Sequence, residues 1–419
     1  MRTRQRGAAR LASVAVVARL APVAIVALIA AGGVAGCQSS SSSTEGAAST
    51  TPTHSSAPPV QAAAISVVPA DGSTAVAVDQ QVTVTAASGK LTDVAVSDVD
   101  GGTVAGNPGT PGVTWVTTGT LVPSTTYKVS ATAINAAGQP TTVTSTFTTA
   151  APTKVLGSKV APLEGETVGV GMPIVVYFTA PVTDRAAVEK RLSVEESDPV
   201  LGAWHWYSST EVHYRPAQYW PPGEEVTLNV NIKGVNAGKG VWGVNNRVVH
   251  FKVGDSHITT VDAKTDIMNV QVNGQTVKNV PVSLGRDKYP TTSGIHVVLE
   301  KSPSVVMDSA TVGIPKGNPD YYYETVLWDV RISWSGEFVH AAPWSVADQG
   351  HSNVSHGCVN ASTADAEWFY NLSRRGDIVQ VINTPRPLQS GNGWTDWNMS
   401  WEKWLAGSAL DGPSASPSA

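Results

Sequence analysis

Between residues 63 and 150, apolar and polar residues alternate in short stretches that are separated by turn residues. Residues 82–85, 127–130 and 143–147 each alternate in this way. A period of two places successive side chains on opposite faces of a β-strand, and no helical periodicity competes with it. Many short strands in a segment of this length predict an immunoglobulin-like β-sandwich.

Residues 151–254 look like a diverged copy of this segment. Residues 68–72 are echoed by residues 161–165, and Phe147 near the end of the first copy is echoed by Phe251. The echoes predict a second sandwich that has grown by insertion. Four tryptophans of this copy are Trp204, Trp206, Trp220 and Trp242. Buried core is the favoured interpretation of these side chains, and stacking against carbohydrate is the alternative.

From residue 255 the pattern changes to longer strands, which predicts a third domain over residues 255–383. The Asn273-Gly274 dipeptide between two apolar runs is the signal of a tight β-hairpin. The predicted strands lie at residues 258–261, 267–272, 297–299, 305–307, 323–332 and 378–382.

Two helical segments are predicted near the C-terminal end. The first covers residues 362–375, with Ser362 or Thr363 as its N-cap and Gly376 as its stop. The second lies in a Trp-rich segment, residues 384–407, whose tryptophans Trp394, Trp397, Trp401 and Trp404 have the spacing of one helical face. Such a face cannot remain in water, which favours docking onto a neighbouring domain over ligand stacking. The predicted fold class is therefore mainly β, with two immunoglobulin-like sandwiches, a β-rich domain with a helix, and a Trp-rich C-terminal segment.

The N-terminal end has the features of a secretory signal over residues 1–36. Four arginines precede an apolar stretch at residues 11–34, and small residues lead to Cys37. An uncleaved membrane span is the alternative, but Arg19 and Pro22 interrupt the stretch. The small residues and Cys37 resemble the lipobox of bacterial lipoproteins, in which the cysteine is lipidated and becomes the mature N-terminus.

Two further segments are too polar to fold. Residues 37–62 are rich in Ser, Thr, Ala and Pro and are predicted to be a disordered tether, and residues 408–419 a disordered tail. The formal charge of the chain is −5. Removal of the signal removes five arginines and no acidic residue, which lowers the charge to −10. An acidic surface argues against nucleic acid as a partner.

Cys358 is a candidate nucleophile. The chain has two cysteines, and if Cys37 is lipidated, Cys358 has no disulfide partner. A lone thiol beside histidines in an exported protein suits covalent catalysis, with His340 or His356 as the base. Gly357 permits a sharp turn whose backbone N–H groups would face an oxyanion. The alternative is a buried structural cysteine with two surface histidines.

The spacing of His340 and residues 355–360, which read SHGCVN, resembles the signature of the YkuD-type L,D-transpeptidases. The lipobox, the tandem sandwiches and the Trp-rich segment are similar to those of mycobacterial-type members. The resemblance implies that Cys358 is the nucleophile and that His340 is the base and then the acid. It also implies that the Ala341 carbonyl orients His340.

The resemblance implies roles for further residues. His356 and Gly357, with the Cys358 N–H and the Tyr322 hydroxyl, would form the oxyanion site. Substrate-binding positions would be Tyr322, Ser335, Gly336, Asn360, Met307, Trp344 and Ser355. A lid would run from Val305 to Tyr323. The loop at residues 235–239 lacks the acidic residues with which some relatives bind metal, so no metal is expected there.

The implied function is peptidoglycan L,D-transpeptidation, which cross-links the third-position diamino acids of two stem peptides through a cysteine thioester. No cofactor is needed, and carbapenem β-lactams would be covalent inhibitors. The partners would be the stem peptides and, through the N-terminal lipid, the outer face of the plasma membrane. The alternatives are an L,D-carboxypeptidase, D-amino-acid exchange by the same acyl-enzyme, and a non-catalytic wall-binding spacer. Because acceptor choice depends on pocket shape, the sequence leaves the enzymatic outcomes open.

Overall fold

The structure is a computed structural model, and it describes residues 61–410. The predicted signal peptide, Cys37 and most of the tether lie outside the described residues, as do residues 411–419. Within residues 61–410, no helix has the length and apolar character that a membrane crossing requires.

The first part of the described chain forms two facing four-stranded sheets. Its strands are β1 (Ala64–Val68), β2 (Ser73–Val76), β3 (Thr83–Ser88), β4 (Lys90–Asp98), β5 (Gly106–Pro108), β6 (Thr114–Thr117), β7 (Thr126–Ile134) and β8 (Pro140–Thr149). The sheet orders are β1-β3-β6-β5 and β2-β8-β7-β4. Between them lies a small core in which the rings of Tyr127 and Phe147 stack at 5.4 Å. The predicted first sandwich is therefore present.

The second part repeats this architecture with added elements. These are β9 (Lys154–Leu156), β10 (Ser158–Ala161), β11 (Thr167–Val168), β12 (Ile174–Phe178), α1 (Arg185–Glu189), β13 (Leu192–Glu196), β14 (Gly202–Trp206), β15 (Glu211–Pro216), β16 (Glu225–Val230), β17 (Val241–Gly243) and β18 (Arg247–Val253). The sheet orders are β10-β12-β15-β14 and β11-β18-β16-β13. The four tryptophans of this part are buried, as the core interpretation predicts.

The third part packs two sheets and a helix around the residues that concern function. Its elements are β19 (His257–Asp262), β20 (Ile267–Val272), β21 (Gln275–Pro281), β22 (Thr292–Val297), β23 (Glu300–Asp308), β24 (Tyr323–Arg331), β25 (Phe338–Ala341), β26 (Val359–Ala361), α2 (Thr363–Leu372), β27 (Ile378–Ile382), β28 (Arg386–Pro387) and α3 (Trp401–Leu405). Single 3-10 turns lie at Ser309–Val312, Pro343–Ser345 and Asp396–Asn398. The sheet orders are β21-β20-β19-β27-β22-β28 and β23-β24-β25-β26.

Helix α2 begins where the sequence predicts and ends earlier. The Ser362 hydroxyl caps it by accepting a hydrogen bond from the Asp365 N–H. The helix ends at Leu372, because Ser373 already has an extended backbone. The predicted end at residue 375 is therefore wrong. The hairpin prediction is confirmed, since Asn273 and Gly274 both have the positive φ values of a tight turn between β20 and β21.

The Trp-rich segment is not one continuous helix, which corrects the periodicity argument. Met399 has an extended backbone after the 3-10 turn, and the Ser400 side chain then caps the separate helix α3. The predicted docking is nevertheless present. The Trp397 indole N–H donates to the Gly171 carbonyl at 2.7 Å, and that of Trp404 donates to the Ala203 carbonyl at 2.9 Å.

The predicted disordered tail begins too early. The Ser408 hydroxyl and the Ala409 N–H donate to the carboxylate of Glu189, which is buried in the second sandwich. Residues 408–410 thus belong to the docked segment, because two of them add hydrogen bonds to a buried carboxylate that otherwise has the Trp206 indole N–H as its partner.

Candidate active site

Two neighbouring strands bring Cys358 and His340 together. Strands β25 and β26 are parallel, and His340 lies beside Asn360 in their register. Cys358 precedes β26 and is two residues from Asn360, so alternation places it on the same face as Asn360. The side chains of Cys358, His340 and Asn360 line a cavity of about 250 Å³. The structure thus places the predicted nucleophile and base at one site.

The turn before β26 is held by the Ser355 side chain. Its hydroxyl accepts from the Gly357 N–H at 3.1 Å and donates to the Cys358 carbonyl at 2.6 Å. Gly357 has φ +128, a conformation that favours glycine. Two predictions change as a result. The Gly357 N–H, which was predicted to face the oxyanion, instead donates to a hydroxyl within the turn. The Ser355 hydroxyl, which was predicted to bind substrate, instead forms hydrogen bonds to the backbone of the turn.

The Cys358 thiol and the His340 imidazole are both neutral at rest. Burial, with added repulsion from Glu337 and Asp329, raises the pKa of the Cys358 thiol to about 12. Burial also lowers the pKa of His340 to about 4. The Cys358 thiol points at the Gly336 carbonyl, with 3.6 Å between sulfur and oxygen. A nucleophilic attack by this sulfur would therefore require that the thiol proton be transferred at the same time.

The Ala341 carbonyl oxygen lies 2.9 Å from His340 Nδ1. A carbonyl can only accept, so in the neutral ring Nδ1 carries the proton and Nε2 has a free lone pair. This is the main-chain contact that the resemblance implies for Ala341. It gives His340 the tautomer that a general base requires.

A second cavity of about 570 Å³ meets the first at Cys358. The two cavities share Cys358, His356 and Tyr322 as lining residues. They divide the predicted substrate-binding residues between them. Met307, Trp344, Asn360 and Ser355 line the smaller cavity, whereas Ser335 and Gly336 line the larger one. The division between two cavities is not apparent from the sequence.

The predicted lid is shorter than expected. Residues 305–308 belong to β23 and Tyr323 begins β24, so the loop that covers the cavities consists of residues 309–322. Tyr322 ends this loop, and its ring lies 4.9 Å from the ring of His356. Burial, with the negative charges of a Cys358 thiolate and Glu324, raises the pKa of Tyr322 to about 12. Its hydroxyl therefore remains a hydrogen-bond donor.

A charged cluster beside the site was not predicted from the sequence. Arg286, Lys288 and Tyr289 lie in the loop between β21 and β22, and all three donate to the carboxylate of Asp320 in the lid. The two basic residues Arg286 and Lys288 were a signal. Their partner Asp320 is 34 residues from Arg286 in the chain, so no local pattern connects them.

The arrangement of the potential metal-ligating side chains bears on the expected absence of metal. Over residues 61–410, no group of three or more His, Cys, Asp or Glu side chains is arranged to hold a metal ion. The expectation of a metal-free enzyme remains a prediction.

Comparison with known proteins identifies the relatives of this chain. The L,D-transpeptidase catalytic domain family matches residues 256–381, and the bacterial Ig domain family matches residues 73–236. The chain is 43% identical to L,D-transpeptidase 2 of Mycobacterium tuberculosis (strain CDC 1551 / Oshkosh), over 81% of this chain and 83% of that protein. It is 33% identical to L,D-transpeptidase 5 of Mycobacterium tuberculosis (strain ATCC 25618 / H37Rv), over 84% and 78% of the two chains.

A solved structure of the LD transpeptidase LdtMt1 in complex with imipenem is also similar. It is 37% identical and covers 55% of this chain and 100% of its own, with a TM-score of 0.48. The similarity to the transpeptidases of Mycobacterium tuberculosis covers most of both chains and includes the cysteine site, so this chain belongs to the L,D-transpeptidase family.

Proposed function

We propose that Cys358 and His340 catalyse peptidoglycan L,D-transpeptidation by the following steps. His340 Nε2 takes the thiol proton as the sulfur attacks the carbonyl carbon of the third stem residue. The amide C–N bond breaks, and the nitrogen of the leaving D-alanine takes that proton from His340. A side-chain amine of a second stem then attacks the thioester and gives a proton to His340. The C–S bond breaks, and the sulfur recovers a proton from His340.

The observation that carries this proposal is that Cys358 lines two cavities, of about 570 Å³ and about 250 Å³. Hydrolysis needs space for one peptide and a water molecule, whereas transfer needs space for two peptides on either side of the acyl group. The larger cavity suits a bulky stem peptide, and the smaller one contains the base that must deprotonate the second amine. The arrangement therefore supports transfer over hydrolysis.

The predicted roles of the remaining residues stay part of this proposal. Tyr322 is proposed to donate its hydroxyl hydrogen to the oxyanion, together with the Cys358 N–H. Ser335 and Gly336 are proposed to bind one stem in the larger cavity. Trp344 is exposed at the mouth of the smaller cavity, where it is available to a second stem.

The rival outcomes use the same acyl-enzyme. Water as the acceptor gives an L,D-carboxypeptidase, and a free D-amino acid gives exchange. The direct test supplies a tetrapeptide stem to the mature protein and separates the products by mass spectrometry. The expected product is a dimer with loss of one D-alanine per cross-link. Tripeptide and free D-alanine without dimer would instead establish the carboxypeptidase.

Variants of the catalytic residues test the mechanism itself. Cys358→Ser should abolish transfer and leave the fold unchanged, because loss of the nucleophile typically costs several powers of ten in rate. His340→Ala should nearly abolish acylation by the tetrapeptide, and His356→Ala should weaken it less. A His356 variant that is less active than the His340 variant would reverse the assignment of the base.

A carbapenem distinguishes the enzyme from the non-catalytic spacer. Incubation with the intact protein should add one drug mass, and peptide mapping should locate the adduct on Cys358. Cys358→Ser is the control that should remain unmodified at this position. The spacer hypothesis requires that the wild-type protein also remain unmodified.

The proposed location is extracytoplasmic, facing the cell wall, with the chain anchored to the outer face of the plasma membrane through lipidated Cys37. Family membership supports action on the wall, and the basic head, apolar stretch and lipobox support export and lipidation. The intact mass of the exported protein tests the anchor. It should correspond to a chain that begins at acylated Cys37, and retention of residues 1–36 would instead indicate the uncleaved span.

We also propose that the domains divide near residues 150 and 254. The first sandwich has its own core, which supports the first boundary. The core of the second sandwich also includes Val297, Ile378 and Trp394 of the third part, so residues 151–410 should resist proteolysis as one unit. Limited proteolysis of the mature protein tests this expectation, since it should cut near residue 150 and leave the second boundary, which the shared core protects, uncut.

A further inference from the structure

The charged cluster beside the active site is centred on Asp320 of the lid. Asp320 accepts hydrogen bonds from Arg286 Nη2 at 2.6 Å, from Lys288 Nζ at 2.5 Å and from the Tyr289 hydroxyl at 2.9 Å. The contacts to Lys288 and Tyr289, with the charge of Arg286, lower the pKa of Asp320 to about 2. Asp320 is therefore an anion at any physiological pH. It fixes the lid to the loop that carries the three donors.

Arg286 also contacts the active-site turn. The same Nη2 atom lies 2.8 Å from Nε2 of His356. A guanidinium nitrogen has hydrogen atoms to donate and no lone pair to accept with, so Nε2 must be the acceptor. The two hydrogens of Nη2 are thus divided between Asp320 and His356. In the neutral imidazole the remaining proton must then be on Nδ1.

The rest of the His356 environment keeps the ring neutral and in place. Burial and the charge of Arg286 lower the pKa of His356, with a smaller contribution from Lys288, and Asp320 opposes them. The rings of Tyr289 and Tyr322 lie 5.2 Å and 4.9 Å from the imidazole. His356 lines both cavities beside Cys358. Because Arg286 engages Nε2, the Nδ1–H is the group of this ring that can donate to a substrate in the cavities.

We propose that Arg286 and Asp320 are positioning residues that fix the Nδ1–H tautomer of His356, so that the imidazole donates to the oxyanion while the lid is closed. The inference rests on the proposed acyl transfer. It adds that Asp320 of the lid is linked, through Arg286, to the Nδ1–H donor of His356. When the lid moves away, Asp320 leaves Arg286, and Nε2 of His356 loses its oriented donor. The oxyanion site would then be complete only over a covered substrate. In this site the Nδ1–H of His356 would take the place of the Gly357 N–H, which already donates to the Ser355 hydroxyl.

The test compares Arg286→Met with Lys288→Met in the full mature protein. Both remove a cation that contacts Asp320, but only Arg286 contacts His356. Acylation by the tetrapeptide is measured between pH 5.5 and 8. At pH 8 Arg286→Met should be about 10- to 100-fold slower, the range expected for a weakened oxyanion donor. Lys288→Met should remain within about twofold of the wild type.

The pH dependence separates tautomer control from a merely structural role. Below its own pKa, His356 carries protons on both nitrogens and donates from Nδ1 without help from Arg286. Loss of Arg286 also removes a charge that lowers the pKa of His356. The Arg286→Met defect should therefore shrink as the pH falls to 5.5, which is still above the pKa of about 4 for His340. A defect of constant size across this range would overturn the proposal, because a loosened loop has no such dependence. Asp320→Ala should show the same recovery at low pH, and Arg286→Lys should retain part of the activity.

Nuclear magnetic resonance of protein with 15N-labelled histidine rings gives a second, activity-independent answer. His356 should be the Nδ1–H tautomer in the wild type and in Lys288→Met, and should shift towards Nε2–H in Arg286→Met. An unchanged tautomer in Arg286→Met would overturn the inference even if activity falls. A wild type that is not acylated at all would refute the proposed function instead, and the tautomer measurement would still stand.

Discussion

The two junctions between the three parts of this chain are built differently. At the first, between the sandwiches, Lys233 and Asp100 form an ion pair at 3.0 Å, and both side chains are more than half exposed. The second joins the second sandwich to the catalytic part through a shared hydrophobic core. Exposed ion pairs contribute little to stability, whereas shared apolar burial contributes much. We therefore expect the second sandwich and the catalytic part to behave as one rigid unit, and the first sandwich to pivot more freely.

The second junction is also rich in polar contacts. The guanidinium of Arg215 lies 4.6–5.2 Å from the ring centres of Trp397, Trp401 and Trp404. At the same junction, the Gly169 N–H donates to the Arg375 carbonyl at 2.8 Å. The second sandwich thus contacts the catalytic part through backbone groups as well as through side chains. We expect the catalytic domain to depend on it for stability.

The largest effect is expected from Trp404→Ala. Trp404 is fully buried, and its indole N–H bonds to the Ala203 carbonyl. The substitution should lower the free energy of unfolding by about 3–5 kcal/mol. Trp344→Ala is the control for stability alone, because Trp344 is 56% exposed. Equal losses in denaturant melts of the two variants would mean that the junction is not what stabilises the catalytic domain.

A pH-dependent contribution is expected from His213. Its ring nitrogens contact Asp396 at 2.7 Å and Glu211 at 2.9 Å. Burial by itself lowers the pKa of His213, but the two carboxylates together outweigh burial and raise it to about 9. The folded-state pKa lies above the unfolded value of 6.5, so the stabilisation is complete below about pH 6.5 and is lost as the pH rises through 9.

His213→Gln should therefore cost up to about 3 kcal/mol at pH 6 and much less at pH 10. Denaturant melts of the variant and the wild type at both pH values measure this difference. A cost that is the same at pH 6 and pH 10 would show that packing, rather than charge, explains the role of the histidine.

A smaller effect is expected where the two backbones meet. A Cβ atom at residue 169 would lie 2.2 Å from Asp377 Oδ1 and 2.3 Å from the Asp377 backbone nitrogen. Gly169→Ala should therefore push the two parts aside and cost about 1–3 kcal/mol. Gly157→Ala is the matched control, since its new methyl group would meet only the Thr179 side chain at 3.3 Å or more. Calorimetry that finds the two variants equally stable would contradict a close backbone contact.

The smallest effect is expected at the first junction. Lys233→Met should leave the melting temperature unchanged, because the ion pair is exposed.

Deletion of residues 63–150 should likewise preserve turnover of soluble muropeptides while impairing cross-linking in cells. A large loss of activity on soluble substrate would show that the first sandwich supports the catalytic part directly.

The sequence predicted the features that depend on nearby residues. The turn from Ser355 to Asn360 and the upstream His340 have a fixed spacing, and parallel neighbouring strands then bring them together. The Trp spacing predicted that one face would be buried. It could not predict the break between Trp397 and Trp401, because the extended Met399 and the Ser400 cap end one turn and begin another.

Features that depend on distant contacts could not be predicted. The Ser355 hydroxyl competes for the Gly357 N–H, which depends on the side-chain rotamer rather than on residue type. The division of the substrate-binding residues between two cavities follows from how the lid and the turn meet. The contact between Asp320 and Arg286 likewise exists only once the lid lies over its neighbouring loop.

The docked C-terminal segment has a consequence for biogenesis. Glu189 is buried in the second sandwich and is bonded by Trp206, Ser408 and Ala409, so two of its partners are made about 220 residues later than the carboxylate itself. During synthesis, the second sandwich is made long before these residues. Its surface is incomplete until residues 408 and 409 have been added. A product that is truncated before the Trp-rich segment would therefore leave the Glu189 carboxylate with the Trp206 indole as its partner and would expose the apolar face that the docked tryptophans cover.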